Sequence, residues 1–154
     1  MNKKRIAIIG AGIGGMTTAV ALSQKGIDIS IFEQAPALSE VGAGLTVTPN
    51  ATKGLMYLNL GEEIAKVGMA HEKQGVRHYK TGDMIVPLHR GKKMLEQYGA
   101  YQFQLHRADI HDVLVNELKK NAPDSIYVNH QLSAIKESSE SVELKFTNGE
   151  KNEF

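Results

Sequence analysis

RIAIIGAGIGGMTTAVALSQKGIDISIFE, residues 5–33, passes through three patterns in succession. Residues 5–9 form a short isoleucine-rich run of strand character. Gly10, Gly12 and Gly15 then fall in the spacing G-x-G-x-x-G, with Gly14 a further glycine inside it. Met16, Ala19, Val20 and Leu22 keep a helical period, and Lys25-Gly26 places a cation and a glycine where that helix should end. Residues 27–32 alternate isoleucine with Asp28 and Ser30, which predicts a second strand that delivers Glu33 at its carboxyl end. Strand, glycine turn, helix and strand make a βαβ start, so the fold class is α/β.

The spacing has a chemical meaning. A glycine at position 10 permits a tight turn off the strand. One at 12 lets backbone approach a diphosphate without a Cβ, and one at 15 lets helix and strand pack closely. The helix amino terminus would turn unpaired N–H groups and a partial positive charge toward the phosphates. Glu33 is placed to accept hydrogen bonds from a ribose hydroxyl, and its charge disfavours the 2′-phosphate of NADP. The stretch therefore predicts a site for an adenosine diphosphate moiety. FAD and NAD share that moiety, and the glycine motif does not choose between them.

Composition narrows the classes. A chain of 154 residues with 42% hydrophobic residues can build one real core, and a net charge of +1 carries no nucleic-acid signature. The Lys3-Lys4-Arg5 cluster reads as solvated charge flanking the first strand. With no cysteine there is no disulfide, thiolate nucleophile or thiolate metal site. The histidines show no metal-ligand spacing, so no metal is expected. No apolar stretch approaches the roughly 20 residues of a membrane span, and a cytoplasmic protein is the default expectation.

Beyond Glu33, residues 34–48 read as a loop with Gly42 and Gly44 near its end. Pro49-Asn50 reads as a turn with an N-cap before a helix over 51–60, closed by Gly61, and a second short helix covers 62–67. The period then changes. Residues 74–81 and 84–88 alternate around Gly82-Asp83 and predict a hairpin, 90–99 is a polar loop, and 100–105 returns to strand. Residues 107–120 place Ile110, Val113, Leu114 and Leu118 on one helical face, with Arg107 at the entrance. By spacing alone Arg107 pairs with an acid such as Asp109. Strands follow at 125–128 and 131–136, then 141–147 and 150–154 flank Asn148-Gly149, a favoured two-residue hairpin turn.

Four stretches, GAGIGG with Ala19, Leu22 and Gly26, IFEQAP, VGAGLTVTPNA with the helix after it, and LHRADIHDVL, occur in an order and spacing that resembles the flavin-dependent aromatic hydroxylases. These are single-component FAD monooxygenases of the salicylate hydroxylase and hydroxynicotinate monooxygenase kind. The resemblance spans the whole chain and implies a Rossmann-like FAD-binding domain of the glutathione-reductase type. Residues 1–154 would form its amino-terminal part, and 74–104 would be an excursion into the sheet that covers the substrate. The family's later Asp-Gly and Gly-Asp motifs would lie beyond Phe154.

The resemblance implies FAD as cofactor, with NADH or NADPH as a transient co-substrate and a salicylate- or hydroxybenzoate-like aromatic substrate. It makes Gly10, Gly12, Gly14, Gly15, Glu33 and Gln34 cofactor-binding, with Glu33 on the adenosine ribose. Gly44 and Thr46 would lie near the isoalloxazine, Leu132 by the adenine, and Arg107 would contact the cofactor rather than a surface acid. Some hydroxynicotinate-type relatives carry histidine at the position of Thr46, and threonine cannot be a general base at neutral pH. No catalytic residue is singled out. A non-catalytic nucleotide-binding fragment and an NAD-dependent dehydrogenase are the alternatives. Alone, the chain is expected to be inactive and to self-associate through unpaired strand edges.

Overall fold

The structure is a computed structural model that describes residues 5–39, 42–89 and 91–154. The chain begins with β1 (Arg5–Ile9), α1 (Ile13–Ser23), β2 (Asp28–Phe32), β3 (Gly44–Val47), α2 (Pro49–Tyr57) and α3 (Gly61–Val67). It continues with β4 (Lys73–Arg77), β5 (Met84–His89), α4 (Lys92–Tyr98), β6 (Phe103–His106) and α5 (Arg107–Asn121). It closes with β7 (Ile126–Tyr127), β8 (Leu132–Glu137), β9 (Val142–Phe146) and β10 (Lys151–Glu153). Two compact units result: Met1–Glu40 with Leu114–Phe154, and Val41–Val113.

In the first unit β1 and β2 pair in parallel from Arg5↔Asp28 to Ile9↔Phe32, and α1 is the crossover between them. Met16, Ala19 and Val20 are the buried residues of α1, which is the face the helical period predicts. Gly26, at φ 69°, ends that helix, and the Ile27 N–H returns to the Leu22 carbonyl at 3.2 Å. On its other side β2 pairs in parallel with β7, giving the order β1-β2-β7. An antiparallel sheet β10-β9-β8 follows, turned at Gly149 with φ 91°. Leu144 and Phe146 of β9 are buried against Phe32, as the alternation of 141–147 predicts. Phe32 is the hub of this core. Its ring centroid lies 4.6 Å from Phe146, 5.2 Å from Tyr127, 5.4 Å from His130 and 5.9 Å from Phe154.

In the second unit β3 pairs antiparallel with β6, and β4 with β5. Leu55, Leu58, Leu60, Ile64, Phe103 and Leu105 are buried. Several expectations are corrected here. The second half of the 34–48 loop is β3, because Leu45 and Val47 find partners in Leu105 and Phe103 that local sequence does not reveal. The helix after it starts at Pro49 with Thr48 as N-cap, since the fixed φ of proline suits the first helical position. β4 stops at Arg77, and His78 to Asp83 forms a longer closed turn in which the His78 N–H donates to the Asp83 carbonyl at 2.8 Å.

The expected polar loop over 90–99 contains α4. Its sequence KKMLEQY consists mostly of good helix formers, with Met94, Leu95 and Tyr98 on one face, but at seven residues it is too short to establish a period, and none of its residues is buried. Gly91 and Gly99, at φ 60° and 70°, bound it. Arg90, Lys3 and Lys4 lie outside the described residues. Among the described residues no helix is long and apolar enough to cross a membrane.

Candidate functional site

The turn at the carboxyl end of β1 is shaped by two glycines with different duties. Gly10 has φ 94°, a conformation other residues rarely adopt. Gly15 has no room for a side chain: a Cβ there would stand 1.9 Å from the Gly10 carbonyl oxygen. Between them Gly12 is the N-cap of α1 and offers no side-chain cap, and the first turn carries no acid. Gly14, on the exposed side of that turn, has open space around its Cβ position. The helix end thus keeps its N–H groups and partial positive charge uncompensated by a side chain of its own.

Glu33 ends β2 beside this turn. Its Oε2 accepts the Ala11 N–H at 2.8 Å, and its Oε1 accepts the Ala35 N–H at 2.9 Å. Each carboxylate oxygen retains a second acceptor direction. The Glu33 backbone is fixed as well: its N–H donates to the Tyr127 carbonyl and its carbonyl accepts the His130 N–H, both at 2.8 Å. A cavity of about 320 Å³ opens here, walled by Gly10, Phe32, Glu33, Gln34, His130 and Leu132. Four of the residues assigned from sequence, Gly10, Glu33, Gln34 and Leu132, are therefore brought together in one pocket. A larger cleft of about 530 Å³ lies at the amino ends of the same strands, against Arg5, Asp28 and Asp124. Ligands of parallel sheets bind at the carboxyl ends instead.

Gly12, Gly14 and Gly15 lie in the adjoining turn and the start of α1, and the other three sequence-assigned residues belong to the second unit. Gly44 and Thr46 lie on β3 opposite His106 and Gln104 of β6, and both are exposed. Arg107 opens α5, and its backbone N–H donates to the Ala43 carbonyl at 3.0 Å. Gly42 is packed so closely that a Cβ would stand 2.1 Å from His106 Cε1. Among the described residues no group of three or more His, Cys, Asp or Glu could hold a metal ion.

A family model described as "FAD binding domain" matches residues 3–154. The chain belongs to the FAD binding domain family. Among curated relatives of this FAD binding domain, 6-hydroxynicotinate 3-monooxygenase of Pseudomonas fluorescens is 34% identical over 146 residues, covering 94% of this chain and 37% of the relative. The 3-amino-4-hydroxybenzoate 2-monooxygenase of Streptomyces cremeus is 34% identical over 145 residues, or 94% of this chain and 36% of that protein. A solved structure of Klebsiella pneumoniae HpxO complexed with FAD and uric acid superposes with a TM-score of 0.83 at 25% identity, over 99% of this chain and 37% of the other. The chain thus spans somewhat over a third of the length of these relatives.

Two residues of the pocketed unit escaped the sequence reading. His130 is buried and lines the cavity. Asn129 before it holds φ 58°, and asparagine's tolerance of that region was the available signal. His111, in the second unit, is also buried on α5, at helical spacing i, i+3 and i+7 with Leu114 and Leu118.

Proposed function

We propose that this domain binds FAD at the Gly10–Glu33 pocket and serves a monooxygenase that hydroxylates an aromatic ring with NADH or NADPH and O2. One observation carries the reading: an uncapped helix terminus at Gly12 stands beside a carboxylate that is bonded to the same turn yet retains free acceptor directions. That pairing fits a diphosphate followed by a ribose. The relatives named above, which act on hydroxynicotinate and aminohydroxybenzoate, support the substrate class.

In this reading the fold is Rossmann-like, of the glutathione-reductase type. Gly12, Gly14 and Gly15 shape the diphosphate cradle, Glu33 holds the ribose, and Gln34 and Leu132 flank the adenosine. Gly44, Thr46 and Arg107 of the second unit keep the assignment to the flavin end that the resemblance gave them. FAD, when bound, supplies the redox and oxygen chemistry. The chain's own groups bind, orient and exclude water. The exposed apolar residues Val76, Ile85, Val86 and Leu88 on β4 and β5 support the assignment of residues 74–104 to a sheet that covers the substrate.

The test is purification followed by absorbance and turnover. The expected result is a yellow protein with a flavin band and, in a full-length monooxygenase that carries this domain, O2-dependent oxidation of NADH or NADPH that rises with a hydroxylated aromatic acid. A colourless protein that takes up NAD but not FAD would overturn the reading in favour of a dehydrogenase.

A further inference from the structure

The corner from Tyr127 to Gln131 joins β7 to β8, and it is bonded on two sides. Toward β2, the His130 N–H donates to the Glu33 carbonyl at 2.8 Å and the Asn129 N–H to the Ala35 carbonyl at 3.0 Å. Toward the β9–β10 turn, Asn148 Nδ2 donates to the Asn129 carbonyl at 3.2 Å, and the Thr147 N–H donates to the Gln131 carbonyl at 2.9 Å. The His130 ring spans both sides. Its Nδ1–H faces the Val128 carbonyl at 2.6 Å, and Nε2 lies 3.1 Å from Glu150 Oε2. The ring also packs among Phe32, Tyr127 and Phe146, with centroids 5.4, 5.8 and 5.0 Å away. A side chain held at both ring nitrogens and on three aromatic neighbours has one orientation available. The ring and the backbone N–H that holds the Glu33 carbonyl thus belong to the same bonded corner, with Leu132 two residues further on and lining the same cavity.

We propose that His130, tethered by Glu150, is a positioning residue of the adenosine subsite, acting on the ligand through Glu33. The proposal rests on the FAD reading above, since it concerns how the same pocket grips the adenosine half. It differs from a plain core role in one respect: a core residue would alter stability, whereas His130 alters affinity only while Glu33 is present to be positioned.

The test uses ADP and FAD as probes, titrated calorimetrically into the protein and its His130→Ala, Glu150→Ala, Glu33→Ala and His130→Ala/Glu33→Ala variants, with circular dichroism as the check on folding. His130→Ala is expected to weaken ADP about tenfold, the loss for a hydrogen bond to a charged group whose geometry is spoiled. Glu150→Ala, at an exposed position, should weaken ADP by about two- to fivefold. In the Glu33→Ala background the further loss on His130→Ala should fall below about twofold, because two residues acting in series are not additive. Losses that simply add, or an unchanged affinity in a folded single variant, would overturn the proposal while leaving the FAD reading intact. If His130→Ala does not fold, Glu150→Ala, alone and combined with Glu33→Ala, decides by the same criterion. A parent protein that binds neither ADP nor FAD would instead overturn the FAD reading itself.

Discussion

The Ala11 N–H donates to Glu33 Oε2 at 2.8 Å, so the acid that ends β2 and the turn that leaves β1 form one bonded piece. On the proposed reading the carboxylate has two duties: it holds the glycine turn in shape and offers its remaining acceptor directions to a ligand. Replacing it removes both at once.

Glu33→Ala should weaken binding of the adenosine half by about 1.5–3 kcal/mol, the range for hydrogen bonds to a charged group. Flavin and ADP titrations read this directly. An affinity equal to that of the parent protein would assign Glu33 a purely structural part.

Gly12→Val should abolish nucleotide binding with the β1-β2-β7 sheet still formed. A branched side chain at the N-cap of α1 would occupy the space a phosphate needs and leave the strand pairing untouched. Near-parent circular dichroism together with lost flavin uptake is the expected pair of results, and retained uptake would refute the assignment.

Gly15 and Gly14 should behave oppositely although they are neighbours. A methyl at Gly15 meets the Gly10 carbonyl oxygen at 1.9 Å, which is backbone and cannot swing aside, so Gly15→Ala should cost about 1–3 kcal/mol as an overpacked site. A methyl at Gly14 meets nothing, and Gly14→Ala should change stability by no more than about 1 kcal/mol. Urea unfolding of the two variants side by side gives the comparison.

Phe32→Ala should cost about 3–5 kcal/mol, the range for deleting a buried aromatic side chain. Phe32 is 2% exposed and touches four other aromatic rings, so its loss leaves a cavity that no single neighbour can fill. Thermal unfolding followed by near-ultraviolet dichroism should report both the lower midpoint and the loosened aromatic cluster.

The parts of this molecule that were legible in sequence are those whose cause is local. The run from Arg5 to Glu33 announces its strand, turn, helix and strand within 29 neighbouring positions. The clean alternation of Val142, Leu144 and Phe146 does the same for β9. What stayed hidden has causes elsewhere in the chain. β3 is a strand because β6 stands beside it, and α4 is a helix of seven residues, too short for Met94, Leu95 and Tyr98 to establish a period. His130 carries no period of its own. It matters through partners at positions 32, 33, 128 and 150 that only the fold assembles.

The placing of β7 against β2 also has a consequence in time. Ile31 and Phe32 pair with Ile126 and Tyr127, and the whole of the second unit is synthesised between them. At the usual pace of about 5–20 residues per second, the ribosome takes several seconds to cross that interval. Until it has done so, the glycine turn and its acid exist without the wall that Leu132 and His130 provide. During translation the nascent chain therefore holds an open half-site, and on the proposed reading cofactor capture waits for the later strands to emerge.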